Sequence, residues 1–294
     1  MTRRTLLAAG TASAATLLTS APAHAATDDR LRELERQHGA RLGVFAHNVR
    51  TKRTVTHRAD ERFPVCSLFK TLAAAAVLRD LDRHGEVLAR RIHYTEADIV
   101  EEGSEQTRKH LAEGMTIAEL ADVAIRYSDN TAGNLLLREL GGPTAITRFA
   151  RSLGDPVTRL DRWEPELNSA EPWRRTDTTT PRAIGRTYAR LVLGNALNGP
   201  DRELLTHWLL NNTTSGNRFR LGLPKTWTVA DKTGAGSYGA NNNAGIAWTP
   251  DGTPIVLAVQ VTKPDQDAAW DHTLIVDTAA LLAEVLGQAA QGLS

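Results

Sequence analysis

Ser67 and Lys70, in the stretch PVCSLFK, stand three residues apart and run into an alanine-rich apolar segment, TLAAAAVLRDL. On a helix that spacing puts both side chains on one face, with Cβ atoms about 5 to 6 Å apart, so a hydroxyl and an amine can touch. The pair offers a serine nucleophile beside its proton carrier, and equally a capping serine beside an unrelated charge. At a helix N-terminus the free N–H groups and positive dipole end would also favour a developing oxyanion. Ser128-Asp129-Asn130 follows the apolar segment AIRY and precedes a helix opening at Thr131. That is a loop able to aim into a cleft, or an ordinary set of caps. Lys232-Thr233-Gly234 ends the strand-like TWTVAD. A glycine there lets a ligand approach the backbone closely, while the lysine taken singly reads as a solvated edge residue. Cys66, beside Ser67, is the single cysteine; a lone small thiol at a strand-to-helix junction reads as buried filler.

These residues need elements to hold them. DDRLRELERQHGA from Asp28 reads as an amphipathic helix with acidic residues in its first turn, and RLGVFAHNV and RTVTHRA as strands around Arg50-Thr51-Lys52. Helical patterns follow: from Ser67 to about His84, near Ile117 to Arg126, from Thr131 to Leu140, and around Pro181 to Leu193. Strands return from Trp227 as TWTVADKTG, NAGIAWTP and TPIVLAVQVT, with a closing helix near His272 to Leu286. The order predicts an α+β fold in which the first and last parts of the chain share one antiparallel sheet and the middle forms a helical lobe. A ligand cleft belongs between them.

Ser-x-x-Lys, Ser-Asp-Asn and Lys-Thr-Gly in this order are the motif set of class A β-lactamases and penicillin-binding proteins. The chain resembles the class A serine β-lactamases. RWEPELN, with Glu164, Leu167 and Asn168, looks like the Ω-loop signature of that class, and DKTGAGSYG and SDNTAGNLLL fit as well. Arg162 and Asp177 match the pair that closes the loop by a salt bridge, and the Glu164-Pro165 bond is expected to be cis. The resemblance runs from about Asp28 to the C-terminal helix. It implies a five-stranded antiparallel sheet flanked by helices, with residues 26–63 and 214–294 in an α/β lobe and 64–213 in a helical lobe.

By the same resemblance, Ser67 attacks the lactam carbonyl, and Lys70 or Glu164 takes its proton, the sequence leaving open which. Ser128 passes a proton to the leaving nitrogen. The backbone N–H groups of Ser67 and Ala235 form the oxyanion hole. Asn130 holds the side-chain amide of the substrate, and Glu164 with Asn168 positions the deacylating water. Lys232 and Thr233 supply part of the pocket for the substrate carboxylate, and Gly234 and Ala235 line the substrate site beside them. NNNAGIAW offers none of the arginine that many relatives carry there, so Arg218 in TTSGNRFRLG is assigned as the substitute guanidinium. VEEGSEQTRKH supplies Glu101 and Glu102 but no aromatic ring at the cleft entrance, and Gly236 stands where some carbapenem-hydrolysing relatives have a second cysteine. The expectation is a penicillinase with some cephalosporin activity. The rivals, a D-alanyl-D-alanine peptidase and a non-hydrolytic penicillin-binding sensor, would lack the deacylating Glu164.

The 294 residues are 41% hydrophobic and 23% charged, enough for one large core or two joined ones. Thirty-five basic against 34 acidic residues give a net charge of +1 without long blocks, which argues against nucleic-acid or membrane-surface partners. The nine histidines never fall into ligand spacing, so the chemistry is read as free of metal and cofactor. With one cysteine no intramolecular disulfide can form. Arg3-Arg4, a diluted apolar stretch and Ala23-His24-Ala25 read as a twin-arginine export signal cleaved after about Ala25, the stretch being too short and polar to span a bilayer. The expected product is a secreted monomer whose partners are β-lactams and proteinaceous or small-molecule inhibitors.

Overall fold

The computed structural model describes residues 20–287, so Arg3-Arg4 of the expected export signal lie outside the described residues. Helix α1 spans Ser20–Gln37, starting before the expected Asp28 and taking in Ala23-His24-Ala25. Alanine is the strongest helix former, and it extends the helix past its acidic residues. Asp28 and Asp29 therefore sit within the helix, where both pair with Arg32.

Strands β1 (Arg41–Asn48) and β2 (Thr54–His57) form the first hairpin. Strands β3 (Thr228–Ala235), β4 (Asn241–Trp248) and β5 (Pro254–Thr262) complete a five-stranded antiparallel sheet in the order β2-β1-β5-β4-β3. The first and last parts of the chain thus meet at the β1–β5 pairing, Arg41 opposite Thr262 through Asn48 opposite Ile255. Alternation of side chains places Phe45, Val256 and Ala258 in the core shared with the helical region, and Val44, Leu257 and Val259 in a second core with Leu31, Leu274 and Leu282. A sheet covered on both faces explains why β5 is apolar almost throughout rather than alternating.

The helical region is centred on α2 (Phe69–Ala76), every residue of which is buried. Its small side chains let α3 (Ile117–Arg126), α4 (Asn130–Glu139) and α5 (Thr144–Ser152) pack closely around it. After α2 a wider π-helical turn, Val77–Leu81, ends the helix short of the expected His84. Asp82 leaves helical geometry there because its carboxylate accepts the N–H groups of Val87 and Leu88, at 2.8 and 3.1 Å, and so caps the next segment. Helix α6 (His272–Leu286) closes the sheet's outer face. Among the described residues no helix is long and apolar enough to cross a membrane.

Candidate active site

Ser67 lies on a short 3₁₀ turn, Cys66–Leu68, that feeds α2, so the expected helical pair straddles a junction of two helix types. The contact survives: Lys70 Nζ donates to Ser67 Oγ at 3.0 Å. Both side chains are buried, Lys70 completely. The Lys70 ammonium also donates to Asn130 Oδ1 at 2.6 Å and to the Ser128 carbonyl at 2.8 Å, and lies 3.0 Å from Glu164 Oε1. Ser67 Oγ is 3.4 Å from the same carboxylate oxygen. A buried ammonium is costly unless it is paired and fully hydrogen-bonded, and here it is both.

The partners of Lys70 are held by different segments. Asp129 caps α4, its Oδ1 accepting the Ala132 N–H at 2.9 Å, while Oδ2 accepts the Thr107 N–H at 3.0 Å. The cap reading of Ser-Asp-Asn is therefore true of the aspartate. It leaves Ser128, in left-handed backbone geometry with φ 62°, and Asn130 on the cleft wall. Asn130 Nδ2 is tied to the Glu102 carbonyl at 2.9 Å. Gly133 gives Lys70 its room: a Cβ there would lie 2.9 Å from Lys70 Cε.

Glu164 precedes a cis peptide bond to Pro165. Its Oε2 accepts from Asn168 Nδ2, and the Oδ1 of Asn168 is buried with no donor among the described residues. Asn134 holds the Glu164 backbone from both sides, accepting its N–H and donating to its carbonyl, each at 2.9 Å. No local motif marks this clamp in the sequence beyond the position of Asn134 one helical turn after Asn130. Arg162 Nε and Asp177 Oδ2 meet at 2.6 Å and close the loop, and Asp177 Oδ1 also accepts the Asp161 and Arg162 N–H groups.

The opposite wall is strand β3. Lys232 is fully buried, donates to the Thr233 carbonyl at 2.9 Å, and has its pKa pushed well below the usual lysine value by burial and by the charges of Lys70 and Arg218. At Gly234 a Cβ would stand 3.1 Å from the Ser67 backbone nitrogen, so the bare backbone lets β3 run alongside the serine. Thr233, Gly234, Ala235 and Gly236 line the cleft with Ser67. Arg218, only 6% exposed, reaches the same cleft; its Nε donates to Asn241 Oδ1 at 2.8 Å and its Nη1 to the Thr214 carbonyl at 2.9 Å. Burial lowers its pKa to about 10, leaving it charged at neutral pH. Buried Asp231 accepts from Asn243 at 2.7 Å and from Arg220 at 3.2 Å. Three consecutive asparagines in a central strand were the sequence signal for this polar support.

Cys66 is fully buried, its thiol pKa driven upward by burial and the nearby Glu164 carboxylate, so no thiolate competes with Ser67. Tyr127 and Trp270, 39% and 52% exposed, bring aromatic rings to a rim for which the segment VEEGSEQTRKH offered none. The cleft encloses about 940 Å³. Among the described residues no group of three His, Cys, Asp or Glu side chains could hold a metal ion.

Residues 26–286 match the Beta-lactamase enzyme family. The chain belongs to that family. It is 59% identical to a Streptomyces fradiae beta-lactamase over 295 residues, covering 97% of this chain and 96% of the relative. A Streptomyces cellulosae beta-lactamase is 60% identical, with 98% of each chain covered. The solved beta-lactamase of Streptomyces albus G superposes with a TM-score of 0.88 at 63% identity, covering 89% of this chain and all of that one. This chain is accordingly a class A serine β-lactamase, an enzyme that hydrolyses β-lactams.

Proposed function

We propose that this β-lactamase opens the lactam amide of penicillins and some cephalosporins in two steps through an acyl-enzyme on Ser67. The observation that carries this reading is Lys70 Nζ lying 3.0 Å from both Ser67 Oγ and Glu164 Oε1 inside a buried site that opens onto the cleft. The Ser67 proton passes to the Lys70–Glu164 pair as the hydroxyl attacks, and Ser128 returns a proton to the lactam nitrogen as it leaves. The developing oxyanion sits between the N–H groups of Ser67 and Ala235; losing one such donor typically costs about 2.7–4 kcal/mol of transition-state stabilisation. Lys232, Thr233, Gly234 and Arg218 bind the substrate carboxylate, and Asn130 the acylamido side chain.

Deacylation uses Glu164 as general base on a water shared with Asn168, whose buried Oδ1 supplies the second acceptor. A D-alanyl-D-alanine peptidase or penicillin sensor would have no use for a carboxylate placed at the serine. The chain matures near Ala26 after twin-arginine export, consists of the α/β lobe 26–63 with 214–294 and the helical lobe 64–213, and acts as a secreted monomer that confers β-lactam resistance. Protein and small-molecule inhibitors would compete for the same cleft. A mass-spectrometric time course with excess benzylpenicillin tests the mechanism. Many turnovers with a transient adduct on Ser67 are expected; a stable one-to-one adduct would overturn the assignment of a working Glu164.

A further inference from the structure

A second cavity, of about 630 Å³, is lined in part by residues 170–175 of the loop that carries Glu164 and shares no lining residue with the catalytic cleft. Its apolar walls are Phe63, Pro64, Pro172, Pro264 and Trp173, the last 73% exposed. An indole left this open beside two prolines is a flat apolar surface for a ring to stack on. The charged lining is unbalanced, five cationic side chains against two carboxylates. Both carboxylates are already engaged, Glu61 by Arg41 at 2.8 Å and Glu171 by Arg174 at 3.0 Å, while Lys263 pairs with Asp271 at 3.2 Å.

Two guanidinium groups remain. Arg62 donates one nitrogen to the Val157 carbonyl and to Thr178 Oγ1, at 3.2 and 3.1 Å, and has no carboxylate within ion-pair distance among the described residues. Arg175, exposed on the cavity wall, makes no side-chain hydrogen bond or ion pair among the described residues. Burial and repulsion from Arg175, Arg159 and Arg151 lower the pKa of Arg62 and outweigh the opposing pull of the Asp155 carboxylate, so positive charge is gathered here in excess.

We propose that this cavity is a binding site for a small amphipathic anion, a carboxylate or phosphate head on a flat apolar body. The head pairs with Arg62 and Arg175, and the body lies against Trp173. The site is connected to the catalytic loop through Glu171, which accepts from Ser169 and lies 3.5 Å from Arg162, the residue that closes the loop.

The test is ligand-observed NMR titration of the whole chain with 1-naphthoate, 1-naphthyl phosphate and neutral 1-naphthalenemethanol. No β-lactam is present, so failure here leaves the hydrolytic reading untouched. Saturable binding of an anion, with the alcohol at least about tenfold weaker, is expected, since a charge-assisted hydrogen bond contributes that much or more. Whichever anion saturates at lower concentration identifies the head group. Arg175→Gln should weaken the anions by about tenfold, Trp173→Ala should weaken all three ligands, and Arg218→Ala should change none. The proposal fails if no ligand saturates, if anion and alcohol bind alike, or if Arg218→Ala rather than Arg175→Gln removes binding, which would put the ligand in the catalytic cleft.

Discussion

The two walls of the catalytic cleft treat charge in opposite ways. On the helical wall Lys70 is neutralised at 3.0 Å by Glu164 and its three hydrogens face Ser67, Ser128 and Asn130. On the sheet wall Lys232 and Arg218 are held by neutral groups, the Thr233 and Thr214 carbonyls and Asn241, while Asp231 is occupied with Arg220 and Asn243. A paired charge can shuttle a proton without attracting an anion, whereas buried cations with no carboxylate in direct contact favour an anionic ligand in a low dielectric. One wall is built for proton transfer and the other for recognising a carboxylate.

The sharpest way to break this contrast is on the helical wall. Ser67→Ala should abolish covalent acylation by penicillin, and labelled drug still attached after denaturation would remove the serine from its role. Glu164→Ala should let acylation proceed and slow turnover by about 10²–10⁴, the usual worth of a positioned general base, with acyl-enzyme accumulating in the mass spectrum. On the sheet wall, Arg218→Ala should lower kcat/KM for carboxylate-bearing substrates by about 10–100-fold, as expected for lost charge-assisted hydrogen bonds, with folding preserved by circular dichroism. An unchanged kcat/KM would leave Lys232 as the sufficient cation.

The pH dependence sharpens the same point. Because the Lys232 pKa lies well below the ordinary lysine value, its charge is lost at lower pH than usual, and kcat/KM should fall on an alkaline limb that lies below the ordinary lysine range. Lys232→Arg, whose guanidinium stays charged, should move that limb upward; a limb that stays put belongs to another group. The smallest effect concerns the loop that supplies Glu164. Asp177→Ala strips acceptors from two backbone N–H groups and Arg162, each unsatisfied buried group costing about 1–3 kcal/mol. A fall in Tm of about 2–4 °C per kcal/mol is expected by calorimetry.

Local pattern made much of this legible. Helix α3 and the closing helix α6 fall where their periodicity puts them, and the strands β3 to β5 within two residues of their apolar runs. The end of the Ser67 helix was not legible, because Asp82 stops it by capping a later segment. Asn134, Tyr127 and Trp270 were missed for a similar reason: an asparagine in a helix and two aromatic residues carry no local sign of the cleft they face.

The sequence by itself determined the element types and the chemical groups, because helix and strand periods, the serine–lysine spacing and the motif order are properties of neighbouring residues. The tertiary structure alone decided which charges are answered. Lys70 meets Glu164, 94 positions further along the chain, through loop closure by Arg162 and Asp177, while Arg218, Arg62 and Arg175 have no carboxylate within ion-pair distance among the described residues. Ion pairing depends on distances of a few ångströms between distant segments, and only the packed fold fixes those.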